Sequence, residues 1–205
     1  MTQTPVNLKL FFEVKEFLQS SNDDASSKKV KAVPPGSFSL FQFPMEPKNP
    51  CDEVYPGIFI GNGRMAKEPE KLQQIGVTHV VNVSMGPKFN QVNTDSVYYD
   101  WYNIQFHGIP AMDVISFKLT PYLSPAAEFI EDALSNKGVV YVHCQQGVSR
   151  SASVVLAFLM LKRNLGLMEA VQTVRAKREI FPNEGFLKEL VRLNDEIFCP
   201  DQVAT

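Results

Sequence analysis

Reactive and anion-binding side chains fall together in one short stretch, His143-Cys144-Gln145-Gln146-Gly147-Val148-Ser149-Arg150-Ser151. A free cysteine thiol titrates near ~8.5, and beside cations or a helix N-terminus it drops to roughly 3.5–7.5. Arg150 carries a planar fork of donors that matches two oxygens of a phosphoryl group. Gly147 lets the backbone approach a ligand closely, and the N–H groups of Gln145, Gln146, Gly147, Val148 and Ser149 can curl into a nest around a tetrahedral oxyanion. Cys144 is expected at the mouth of that cradle. The chemistry such a set supports is attack by a thiolate on a bound phosphoryl group. His143 is expected to orient the loop by hydrogen bonding rather than to act as the general base. Ser151 is expected as a helix N-cap, as a hydroxyl that stabilises the thiolate as leaving group, or as both.

The loop needs a strand before it and a helix after it. Val139-Val140-Tyr141-Val142 is a short β-branched run, and residues 154–161 form an apolar helical segment. In that order the first helical N–H groups have no backbone partner and point at the loop, where they favour an anion. Further strands are predicted over 57–61, 77–83 and 102–106. Helices are predicted over 66–75 (ended by Gly76 at the C′ position), 124–134, 151–163, 168–177 and 183–197. Residues 86–96 read as polar and irregular, and Trp101 as a core or flank aromatic. Strands alternating with helices define an α/β class, with a central, mostly parallel twisted sheet flanked by helices and the active loop at a strand's carboxyl end.

The motif His143-Cys144-x5-Arg150-Ser151, with Gly147 and Ser149 inside it, resembles the signature of the cysteine-dependent protein phosphatases in its dual-specificity form. The resemblance runs from about Pro50 to Phe198 and is to the atypical VHR-like group, related to the vaccinia virus phosphatase. It implies a protein tyrosine phosphatase-like fold. It also implies hydrolysis of phosphotyrosine and phosphoserine/phosphothreonine through a phosphocysteine, with no metal and no cofactor. A leaving alkoxide or phenoxide needs a proton, so a carboxyl on another segment must supply one. The resemblance places that acid on the loop carrying Asp113, with Asp95 and Asp100 as competitors. It gives the Pro182-Asn183 turn the role of buttressing the phosphate loop. Arg178 is implied to line the substrate groove, the alternative being a cation at a helix end. The chain departs from the group at Gln145-Gln146, where a basic and then an acidic residue are replaced by neutral ones. A neutral loop argues against polyanionic phosphoinositide or RNA substrates. A catalytically weak phosphoprotein-binding module is the main alternative.

At 205 residues and 44% apolar, the chain has enough sequence for one catalytic core over 50–199, preceded by a helix and linker over 1–49 and followed by a tail over 200–205. Val6, Leu10, Val14, Phe17 and Leu18 recur at helical spacing after Thr4-Pro5, which reads as a cap followed by a first-turn proline. That helix is expected to pack on its own domain, with partner docking as the alternative. The linker is rich in Ser, Asp, Lys and Pro; its Lys28-Lys29-x-Lys31 cluster reads as solvated, and Phe38, Leu40, Phe41 and Phe43 as anchors to the domain. A net charge of −2 gives no drive toward nucleic acid or membrane. Three cysteines suit a reducing compartment, and no targeting segment is read, so a cytoplasmic or nuclear location is expected. The expected partners are phosphoprotein substrates, with kinases of signalling cascades among the candidates, and the expected state is a monomer or weak homodimer.

Overall fold

Val140, Tyr141, Val142 and His143 are all buried because their strand, β5 (Val140–His143), lies in the middle of the sheet with a layer on each face. The computed structural model describes residues 6–20 and 47–200. Among them a five-stranded sheet runs in the order β1-β2-β5-β3-β4, with β1 (Cys51–Tyr55), β2 (Ile58–Gly61), β3 (His79–Asn82) and β4 (Gln105–Gly108) around β5. β1 pairs antiparallel with β2, and the β2–β5, β5–β3 and β3–β4 pairs are parallel. The mixed sheet is therefore mostly parallel, as expected. Parallel strands require crossovers, and these carry the helices to the two faces.

The two-residue side-chain period divides the core. Ile58, Ile60, Val81, Val140 and Val142 point into the larger cluster. Val80 and Tyr141, from the opposite faces of the same strands, join Ala66, Leu72, Val77, Tyr99 and Ile104 in the smaller one. The smaller layer is built from α2 (Gly63–Ala66), α3 (Pro69–Gln74) and α4 (Ser96–Asp100). The larger is built from α5 (Thr120–Ser135), α6 (Arg150–Arg163), α7 (Leu167–Arg175) and α8 (Glu184–Phe198). Residues Arg150 through Met160 of α6 are all buried, since this helix packs against α5, α7, α8 and the sheet at once. A helix apolar on every side is the sequence signature of that position.

Several local expectations need correction. The helix predicted over 66–75 is two short helices, because Pro69 cannot donate the backbone bond needed to continue α2 and instead starts α3. Gly76 does adopt the left-handed conformation, φ +81°, that ends α3. The strand predicted over 102–106 lies at β4, because Asp95 caps α4 and residues 96–100 are helical. β1 has no counterpart in the sequence reading. Trp101 is neither core nor flank: it is 91% exposed.

The N-terminal helix, α1 (Leu8–Gln19), is capped by Asn7, whose side chain accepts from the Leu10 N–H at 3.2 Å. Thr4-Pro5 and the Lys28, Phe38, Leu40, Phe41 and Phe43 positions of the linker lie outside the described residues. Phe11, Val14 and Leu18 are buried where α1 packs on α7 and α8. Arg175 of α7 is buried and donates to the carbonyls of Leu18 (2.5 Å) and Ser20 (2.7 Å), satisfying acceptors that the helix end leaves free. Lys15 pairs with Glu184 at 2.6 Å. The helix is thus docked on its own protein, as the plainer expectation had it.

Candidate active site

Three parallel strands deliver three loops to one edge of the sheet. β5 ends at His143 and leads into the Cys144 loop; β3 ends at Asn82 and leads into residues 83–95; β4 ends at Gly108 and leads to Asp113. Asn82 and Gly61 flank His143 in register, so the Cys144 loop emerges between its two neighbours.

Gly147 adopts φ +72°, and a Cβ there would run into the Gly61 carbonyl, so only glycine lets the loop close. The turn aims the Gly147 N–H at Cys144 Sγ, 3.2 Å away, while Ser151 Oγ lies 3.4 Å from the same sulfur. Cys144 is 1% exposed. The sulfur therefore sits at the floor of the cradle, not at its mouth, because the surrounding N–H groups draw it inward. Burial opposes its ionisation. That is outweighed by the Arg150 charge, by the Ser151 hydroxyl and N–H and by the Val148 N–H, which together hold the thiol below its ordinary value.

Ser151 does not cap the helix. Ser149 occupies the N-cap position and Ser151 lies in the first turn, so only the second of its expected roles, beside the sulfur, remains open. The exposed Gln145 and Gln146 side chains stand outside the loop, and the Gln145 carbonyl accepts from the Gly63 N–H at 3.1 Å.

His143 is fully buried, stacks on Tyr141 with ring centroids 5.6 Å apart, and points Nδ1 at the Cys144 carbonyl, 3.3 Å away. Its pKa is lowered to about 4, chiefly by burial, with the bond to the Cys144 carbonyl opposing the shift and the Arg150 charge adding to it. A neutral imidazole held this way can orient the loop. The unfolded chain binds a proton to histidine below about 6.5, whereas the folded protein resists it down to about 4. The neutral-histidine advantage is therefore complete above that upper pH and lost as pH falls through the window. The expected loss is about 3 kcal/mol. Urea-unfolding midpoints measured against pH for the wild type and His143→Asn should show it as an acid-side slope present in the first and reduced in the second. Parallel curves would exclude His143 as the source.

Asp113 sits at the rim, with Oδ1 accepting from Ser149 Oγ and Asn183 Nδ2, both at 2.8 Å. The Asn183 N–H in turn donates to Ser149 Oγ at 3.1 Å, and Asn183 Oδ1 caps α8 by accepting from the Phe186 N–H. This triangle ties the Asp113 loop, the Cys144 loop and the Pro182-Asn183 turn together; the Ser149 hydroxyl's part in it is not legible in the sequence. Asp95 is occupied as the cap of α4, and Asp100 lies exposed at the end of that helix.

Arg178 is corrected outright. It does not line the groove but lies behind the loop, its side chain fully covered, donating to the Gly147 carbonyl (2.8 Å) and the Gln146 carbonyl (3.3 Å). Its charge is met by Asp52 on β1 at 2.6 Å, the acid partner that draws it inward. Phe181 adds a backbone bond to the Val148 carbonyl at 2.9 Å. Residues 178–183 thus form a bracket that holds four successive loop residues from outside.

A mostly parallel sheet, a cysteine held below its ordinary pKa within a strand–loop–helix anion cradle, and an arginine at the helix start define a cysteine-dependent phosphatase. The chain belongs to the dual specificity phosphatase family, whose catalytic-domain model matches residues 58–196. It is similar to human dual specificity protein phosphatase 13B, with 47% identity over 150 residues, 73% of this chain and 75% of that protein. The mouse protein of the same name is 45% identical over 147 residues, 71% of this chain and 73% of the relative. Among solved structures, human DUSP28 has a TM-score of 0.63 at 31% identity and covers 72% of this chain and 95% of its own. A mouse dual specificity phosphatase complexed with zinc tungstate has a TM-score of 0.63 at 28% identity, covering 87% and 99%. The chain is accordingly a protein phosphatase, a hydrolase whose substrates are phosphoproteins.

Proposed function

We propose that this chain hydrolyses phosphotyrosine and phosphoserine/phosphothreonine in proteins in two steps, with Cys144 as nucleophile. The observation that carries the proposal is the seat of Cys144 Sγ, 3.2 Å from the Gly147 N–H and 3.4 Å from Ser151 Oγ, under the buried Arg150. Loop amides and Arg150 bind the phosphoryl dianion. The sulfur attacks in line, an S–P bond forms, and the P–O bond to the leaving group breaks. Asp113 gives its proton to the departing oxygen; Oδ2 is the atom suited to carry it, since Oδ1 is taken by two donors. Asp113 then takes a proton from water as that water attacks phosphorus, and the thiolate leaves toward the Ser151 hydroxyl. Most of the acceleration is assigned to pre-organised donors, the loop N–H groups and Arg150, the loss of one costing about 10²–10³ in rate.

The mouse relative forms a complex with zinc tungstate, and tungstate is a tetrahedral oxyanion of phosphate shape, the kind of ligand proposed for this cradle. The neutral Gln145-Gln146 pair supports peptide over polyanionic substrates. We read residues 50–199 as the catalytic domain, acting in the cytoplasm or nucleus as a monomer or weak homodimer on phosphoproteins, with kinases of signalling cascades among the candidate substrates. No helix among the described residues is long and apolar enough to cross a membrane. The test is phosphate release from phosphotyrosyl and phosphothreonyl peptides beside a phosphoinositide and a triphosphorylated RNA. Faster turnover of both peptides is expected; preference for the lipid or the RNA would overturn the proposal.

A further inference from the structure

Arg150 is held by more than its own loop. Its guanidinium carries five N–H donors in one plane. Nη1 donates to the Asn90 carbonyl at 2.8 Å and to the Ala111 carbonyl at 3.2 Å, and Nη2 donates to Asn90 Oδ1 at 3.1 Å. Three donors are thereby used. The two that remain, Nε–H and the second N–H of Nη2, are neighbours on one edge and run parallel, the arrangement that binds two phosphoryl oxygens at once. Nε is buried and has no hydrogen-bond partner among the described residues. Its neighbour Asp113 Oδ2, 3.4 Å away, lies without the alignment of a hydrogen bond.

Asn90 can clasp the far side of the guanidinium because its backbone is left-handed, φ +64°, which turns its carbonyl and its side-chain oxygen toward the same cation. Asparagine tolerates this conformation better than other residues with a Cβ. The surrounding loop is itself fixed. Buried Asn82 donates to the Val92 carbonyl at 2.8 Å and to Thr94 Oγ1 at 3.0 Å and accepts from the Ser84 N–H at 2.9 Å. Gln91 bonds the Met85 carbonyl and the Lys88 N–H across the loop at 3.1 Å each.

We propose that Asn90 is a positioning residue for the reaction: it clasps the outer edge of the Arg150 guanidinium and so presents the inner edge, Nε–H and Nη2–H, to the phosphoryl group. The proposal rests on Arg150 as the phosphate ligand. Nothing in the spacing of Asn90 from the Cys144 motif announces it, since the contact joins loops from different strands.

The decisive variant is Asn90→Gly. Glycine keeps the left-handed backbone and the carbonyl contact and removes only the side-chain acceptor. If Asn90 matters solely to the turn, glycine serves as well or better, and oxyanion affinity is unchanged. If it positions Arg150, the inhibition constant for tungstate should rise about tenfold, while the thermal midpoint stays near that of the wild type. Asn90→Ala, which also strains the backbone, should weaken tungstate further. Iodoacetate alkylation followed against pH should show the Cys144 thiolate forming at higher pH in Asn90→Gly, because the displaced guanidinium no longer stabilises it. Tungstate inhibition of Asn90→Gly equal to wild type overturns the proposal. Arg150→Ala, run in parallel, separates the two levels: tungstate affinity unchanged there removes Arg150 from phosphate binding and the proposal with it. Weakening in Arg150→Ala alone removes only the role of Asn90.

Discussion

Cys144→Ser should abolish turnover of nitrophenyl phosphate and of phosphopeptides, lowering kcat by at least about 10⁴-fold. A hydroxyl differs from the thiol by one atom, but the same surroundings cannot ionise it. The Arg150 charge and the N–H groups of Val148 and Ser151 move a thiol below its ordinary value even against burial. A serine hydroxyl starts many units higher and stays protonated, so the nucleophile is lost. The cradle is not lost. Gly147 keeps its left-handed turn, and Arg178 still anchors the Gly147 and Gln146 carbonyls from behind. The variant should therefore still bind a phosphotyrosyl peptide within a few-fold of wild type while releasing no phosphate. Titration of a labelled phosphopeptide alongside steady-state kinetics checks both halves. Turnover within tenfold of wild type would remove Cys144 as nucleophile. A wild type that binds the peptide but releases no phosphate would make the chain the binding module considered from its sequence.

The second large effect is selective. Asp113→Asn should slow hydrolysis of alkyl phosphates, phosphothreonyl peptides among them, by about 10²–10⁴-fold. Nitrophenyl phosphate should lose far less, because its leaving group departs without needing a proton. Asparagine is the proper replacement here. Its oxygen can still accept from Ser149 Oγ and Asn183 Nδ2 as Asp113 Oδ1 does, so the triangle that ties the acid loop to the phosphate loop survives. What disappears is the transferable proton. Rates for a series of leaving groups of graded basicity would give a steep dependence in the variant and a shallow one in the wild type. Equal damage across the series would mean that Asp113 holds the loop and gives no proton.

The part of this protein that its sequence determined by itself is the part written in short-range spacing. The β-branched run before Cys144, Gly147 inside the loop, Arg150 at the helix start and the all-round apolar α6 each follow from residue type and period over a few positions. The mostly parallel sheet follows too, because strands alternating with helices leave little other choice. Some boundaries were lost where two local signals compete, as at Pro69, or where Asp95 starts a helix inside a polar stretch. Trp101 was misplaced because an aromatic side chain announces only an average burial.

Which donor meets which acceptor across the chain is fixed by packing between distant segments. The sequence around Arg178 fits a groove cation or a helix-end cation, and Asp52 on the edge strand turns it inward instead. Ser149, Asp113 and Asn183 converge from three segments, and Asn90 and Ala111 reach Arg150 from two loops that no periodicity connects to it. Strand order and register put those loops side by side, and both are settled by how the whole core packs. A short-range code can thus specify a cysteine and the loop that cradles it, while the aim of the charges around them is set by contacts between residues far apart in the chain.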